Sequence, residues 1–96
     1  MSKLRIIAPA EWDFTEALSW YAERSPRAAE GFQSQFEHAL EKISSQPVTF
    51  PLVDEIHRFY LMDRYPYQVI YRLQDDWITV VAVAHAKREP RYWKDR

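Results

Sequence analysis

The sequence has no cysteine and a single glycine, and its longest apolar run is the five residues from Val80 to Ala84. Each absence excludes something. Without cysteine there is no disulfide scaffold, no thiolate metal site and no cysteine nucleophile, a composition that suits a reducing compartment. One glycine against six prolines leaves no glycine-rich phosphate loop, flexible linker or collagen-like repeat. The Val80–Ala84 run falls far short of the roughly 20 apolar residues needed to cross a bilayer. No apolar segment with a small-residue cleavage site follows Met1-Ser2-Lys3-Leu4-Arg5, so no signal peptide is expected and the chain reads as cytoplasmic, without membrane attachment. There is also no Walker loop, Rossmann fingerprint, His-Glu-x-x-His or Gly-x-Ser-x-Gly motif. His38, His57 and His85 are spaced without any metal-ligand pattern, so neither a metal nor a cofactor is expected.

What is present is aromatic bulk. Hydrophobic residues make up 47% of the 96 positions and aromatics 16%, as 4 Trp, 6 Tyr and 5 Phe. That suffices for one core, and residues 1–96 read as a single domain. The net charge of −1 is unevenly distributed. Residues 1–56 carry 5 Lys/Arg against 9 Asp/Glu, whereas residues 57–96 carry 8 against 5. An acidic first half thus precedes a basic second half whose last ten residues hold five cations. A nucleic-acid footprint covering the whole domain would be far more basic.

Along the chain, Lys3–Ile7 alternates as a short strand. Pro9 suits a first helical turn, and Phe14, Ala17, Leu18 and Tyr21 follow with helical spacing, beside a second stripe of Trp12, Glu16 and Trp20. Ser25–Pro26 reads as a cap and a restart. A second helix follows, with Ala29, Phe32, Phe36, Ala39, Leu40 and Ile43 on one face and Glu30, Gln33, Glu37 and Glu41 on another, ending at Gln46–Pro47. So short a junction predicts an antiparallel helical hairpin. The period then changes. Ile56–Met62, Tyr67–Leu73 and Trp77–His85 are strand-length and rich in aromatic and β-branched residues, and the last is apolar enough to be covered on both faces. The order β-α-α-β-β-β predicts a two-layer α+β fold: an N-terminal helical hairpin on a largely antiparallel four-stranded sheet.

One constellation carries potential chemistry. His85, Lys87, Arg88, Arg91, Tyr92 and Trp93 follow directly on the most apolar strand, and His57, Arg58, Arg64 and Arg72 lie in the preceding meander. Cations beside aromatics suit phosphate contact and base stacking. Antiparallel pairing can bring Arg58, Arg72 and Arg88 toward one sheet face. Equally, Tyr92 and Trp93 can fold back to close the core, with Arg88 pairing to Asp54 or Glu55.

The element order, the Arg58…Arg64-Tyr65-Pro66-Tyr67…Ile70-Tyr71-Arg72 meander and the Val83-Ala84-His85-Ala86-Lys87-Arg88 strand end resemble the RelE/ParE superfamily of type II toxin–antitoxin modules. These toxins are often labelled plasmid stabilisation proteins. The resemblance spans almost the whole chain. It implies a growth-inhibiting toxin neutralised by a cognate antitoxin in an oligomeric complex, with Trp12 and Trp20 as antitoxin contacts. RelE-like members cleave mRNA on the ribosome, whereas ParE-like members poison DNA gyrase. For the ribonuclease, the resemblance implies Arg58 and Arg88 on the phosphate, Tyr92 as the tail tyrosine, and His85, His57 or Glu55 in proton transfer. For target binding it implies Arg64, Arg72, Lys87, Arg91 and Trp93. The segment from Val48 to Ile56 has no Lys or Arg where RelE-like toxins carry a basic stretch. A net charge of −1 also suits ribosomal RNA poorly. The expectation is therefore gyrase poisoning, with mRNA cleavage as the alternative and an antitoxin-binding co-repressor that has lost toxicity as a second.

Overall fold

A computed structural model describes residues 3–96; Met1 and Ser2, which the single-domain expectation includes, lie outside the described residues. The elements run β1 (Lys3–Ile6), α1 (Ala8–Arg24), α2 (Pro26–Ser45), β2 (His57–Leu61), β3 (Tyr67–Gln74) and β4 (Trp77–His85). This is the expected β-α-α-β-β-β order. The sheet order is β1-β4-β3-β2, with β1 parallel to β4 and the other two pairings antiparallel.

The helical hairpin forms as the sequence predicts. Pro26 stands in the first turn of α2, and the Ser25 side chain accepts the Ala28 N–H at 3.2 Å, meeting one of the donors that a helix start leaves unpaired. Ala29, Phe32, Phe36, Ala39 and Ile43 form the buried face of α2. Phe32 stacks on Phe14 at 5.6 Å and on Tyr21 at 5.2 Å, and meets Tyr65 and Tyr67 edge-on at 5.4 and 5.2 Å. Each such pair adds about 0.5–1.5 kcal/mol to the burial of its rings. The lone glycine belongs to this cluster. A Cβ at Gly31 would collide with the Tyr65 hydroxyl, which donates to the Ala28 carbonyl at 2.8 Å. The glycine is needed for that close approach.

β4 is buried from Ile78 to Ala84, and different partners cover its two faces. Ile78, Val80 and Val83 pack with the helices, whereas Val81, Ala82 and Ala84 pack with Ile70 and Trp93 of the C-terminal tail. A bulge sets this division. Ile70 opposes Ala82 and Tyr71 opposes Val80, leaving Val81 as the extra residue. No helix among the described residues is long and apolar enough to cross a membrane.

Candidate functional site

The distinctive local feature is the tail, residues 86–96. β1 follows β4 only as far as Val80, with one further bond from the Ile7 N–H to the Val80 carbonyl at 3.1 Å. Beyond that point the same edge of β4 is satisfied by side chains. The Val83 N–H donates to Asp13 Oδ2 at 3.1 Å, and Arg96 Nη1 donates to the Val81 carbonyl at 3.1 Å. Asp13, only 6% exposed, also accepts the Tyr92 O–H at 2.9 Å and both terminal nitrogens of Arg96 at 2.7 and 3.2 Å. This one carboxylate therefore joins α1, the exposed edge of β4 and the end of the tail. Burial raises the Tyr92 phenol above its ordinary value, and the Asp13 charge and hydrogen bond add to that; Arg88 and Arg96 oppose it. A phenol held this way keeps its proton at neutral pH.

Trp93 anchors the tail further along. It is 3% exposed and packs with Ile70, Val81 and Ala84, its ring 4.8 Å from that of His57. Expected as a target contact, it instead presents almost no surface in this conformation. Arg91 adopts a left-handed φ of 64° and donates to the Val53 carbonyl at 3.1 Å. Arg88 forms no ion pair with Asp54 or Glu55 among the described residues. It is exposed, its guanidinium 3.6 Å from the centroid of Tyr92.

The strand register corrects the expectation that Arg58, Arg72 and Arg88 converge on one face. Arg58 pairs with Tyr71 and His57 with Arg72, so Arg58 and Arg72 project to opposite sides of the sheet. Arg58 lies on the helix side, where Nη1 donates to the Phe50 carbonyl at 2.7 Å and to the Val48 carbonyl at 3.2 Å. Arg72 lies on the tail side, with Nη1 3.4 Å from His57 Nε2. His57 Nδ1 in turn stands 2.9 Å from Asp54 Oδ2. Partial burial pushes the Asp54 carboxyl up, but N–H donation from the His57 and Ile56 backbones and from the His57 ring outweighs it and holds the group at about 2. Arg64 is exposed in the β2–β3 turn with a left-handed φ of 68°.

His85 and Arg88 do meet, with Trp20, in a cleft of about 490 Å³. Asp13, Glu16, Ala17, Trp20 and Tyr21 of α1 form one wall; Pro66, Tyr67, Val83, His85 and Arg88 form the other. His85 lies edge-on to Tyr67 at 5.0 Å and its Nδ1 accepts the Lys87 N–H at 3.0 Å, which leaves Nε2 as the protonated nitrogen of the neutral ring. Lys87 itself is exposed. Trp20 is 50% exposed with Arg24 over its ring at 3.7 Å, and Trp12, one turn before Glu16, is 66% exposed. The cleft thus combines aromatic walls with Glu16, His85 and Arg88, a surface suited to apolar and charged side chains of a protein partner. Among the described residues, no cluster of three or more His, Asp or Glu side chains could hold a metal ion. Sequence reasoning missed Asp13 and Arg96. A carboxylate one residue past Trp12 on a helix carries no local sign that it will bond to a strand 70 residues away.

A family model described as the ParE toxin of the type II toxin–antitoxin system parDE matches residues 4–90. The protein named Toxin ParE2, from two strains of Mycobacterium tuberculosis, is 30% identical over 89 residues, covering 92% of this chain and 85% of the relative. A chain of the solved chromosomal ParDE TA system from P. aeruginosa shares the fold with a TM-score of 0.77 at 15% identity, over 91% of this chain and 98% of that one. The chain belongs to the ParE toxin family of type II toxin–antitoxin systems.

Proposed function

We propose that this toxin arrests growth by poisoning DNA gyrase and is neutralised by a cognate antitoxin that covers Trp12, Trp20 and the cleft beside them. One observation carries the choice of gyrase over mRNA: the set a ribonuclease of this superfamily would use is incomplete, because His85, Arg88 and Tyr92 lie together without Arg58. Arg58 is on the helix side of the sheet, bonded to main-chain carbonyls. Tyr92 is committed to Asp13 with its phenol pK raised. Cleavage through a 2′-OH needs a base, an acid and a cation converging on one phosphate. Binding to a protein target needs only surface, which the cleft with Arg88 and, outside it, the exposed Lys87, Arg64 and Arg91 offer. Trp12 and Trp20 are large apolar groups left open along one helix, a pattern that suits a wrapping partner.

The purified chain should block supercoiling by gyrase and cause cleaved DNA–gyrase complexes to accumulate, and added antitoxin should reverse both. Unchanged supercoiling together with codon-specific cuts in ribosome-bound mRNA would overturn the proposal.

A further inference from the structure

The tail covers only the half of the back face that includes Ile70, Val81 and Ala84. The other half is left uncovered by the tail and has its own composition: Lys3 and Arg5 are exposed, Arg72 and Trp77 half-buried, and Thr79 between them buried. Side chains alternate along each strand, so Lys3 and Arg5 of β1, Trp77 and Thr79 of β4, and Arg72 of β3 all project here. Arg5, Thr79, Arg72 and His57 are register partners in one line across all four strands. At about 4.8 Å per strand, the two arginine positions stand about 10 Å apart.

Neutral partners orient these cations. Arg5 Nε donates to Thr79 Oγ1 at 2.9 Å, and Arg72 Nε lies 3.5 Å from Gln74 Oε1. Lys3 and Arg5 flank Trp77, 5.5 and 4.9 Å from its ring centroid. None of the three forms an ion pair among the described residues. Asp54, the carboxylate at the end of the line, is taken by His57, and Asp75 and Asp76 lie in the β3–β4 turn at the border of the face, where the Lys3 N–H donates to the Asp76 carbonyl at 3.0 Å. The result is two guanidinium groups and an ammonium on one face, held by neutral partners that include His57 Nε2, 3.4 Å from Arg72 Nη1, in a chain whose net charge is −1. Guanidinium forks match phosphate oxygens.

We infer that this uncovered half-face docks the phosphodiester backbone of DNA, through Lys3, Arg5 and Arg72. The choice of DNA among polyanions rests on the gyrase reading, because gyrase holds DNA while it acts; the cation geometry stands without it. The contact is sequence-independent and weak, since backbone phosphates carry no base information.

The test is fluorescence anisotropy of a labelled duplex titrated with the purified chain over a range of salt concentrations. Three phosphate contacts give a log–log salt slope of about −2.7. The double variant Arg5→Gln/Arg72→Gln should weaken binding about tenfold at low salt and reduce the slope to about −0.9. Arg27→Gln, an exposed change on α2, should leave both unchanged. Circular dichroism and antitoxin capture establish that the double variant is folded. No anisotropy change for the unmodified chain at low salt, or an unaltered slope in the folded double variant, would overturn the inference. Tighter binding to RNA of the same sequence would overturn the choice of DNA. Supercoiling is read separately: DNA binding without gyrase inhibition would sustain this inference and remove the gyrase reading.

Discussion

The two faces of this sheet are covered by different means. On the helix face, Phe32, Phe36, Ala39 and Ile43 close the core with apolar volume from a regular helix. On the back face, eleven irregular residues are held by Trp93 and by a carboxylate from the opposite layer, and leave half the face uncovered. Apolar packing spreads its stability over many small contacts. The tail instead depends on a few groups whose loss leaves others buried without partners. The first arrangement tolerates exchange of similar volumes; the second fails at single atoms. The surfaces expected to meet partners border the second region.

Substitutions can separate the two regimes. The largest loss of stability is expected for Phe32→Ala, at about 3–5 kcal/mol, read by denaturant unfolding, with the whole domain affected. Asp13→Ala should cost about 3 kcal/mol, because it strands the Val83 N–H, the Tyr92 hydroxyl and the Arg96 charge together. Its signature is local: Trp93 fluorescence should shift to the red and tail amides lose protection from exchange, while helix amides keep theirs. Tyr92→Phe removes one hydroxyl from that set and should cost about 1 kcal/mol. Under the gyrase account it keeps toxicity once folded, whereas a ribonuclease would slow by orders of magnitude. A pH-dependent loss is expected on acidification. The Asp54 carboxyl titrates at about 2 when folded against an ordinary 3.8, so its contribution is fully present above about pH 4 and is lost as pH falls through 2. Amide exchange at His57 should rise over that window, and Asp54→Asn should flatten the profile.

The helix face was almost wholly legible in the sequence. The spacing from Ala29 to Ile43 and the Ser25–Pro26 junction predict the helical hairpin because helical period and capping are local properties. The apolar run in β4 correctly implied burial on both faces, but not what supplies the second cover. Tail closure by Tyr92 and Trp93 is one of two outcomes the sequence allows, since cations beside aromatics serve a fold or a ligand equally well. The site was least legible. The expected convergence of Arg58 with Arg72 fails because adjacent strands meet His57 to Arg72, and a one-residue change of register would reverse the outcome. The line from Arg5 to His57 depends on that same register and on the parallel pairing of the first strand with the last.

The central claim is that the toxin acts on gyrase and not on mRNA. The most direct measurement is induced expression of the chain in growing cells, with the DNA-damage response and mRNA cleavage read in parallel. The account predicts growth arrest with an early DNA-damage response and intact transcripts, relieved by the cognate antitoxin. Arrest with codon-specific transcript cuts and no DNA-damage response would contradict it.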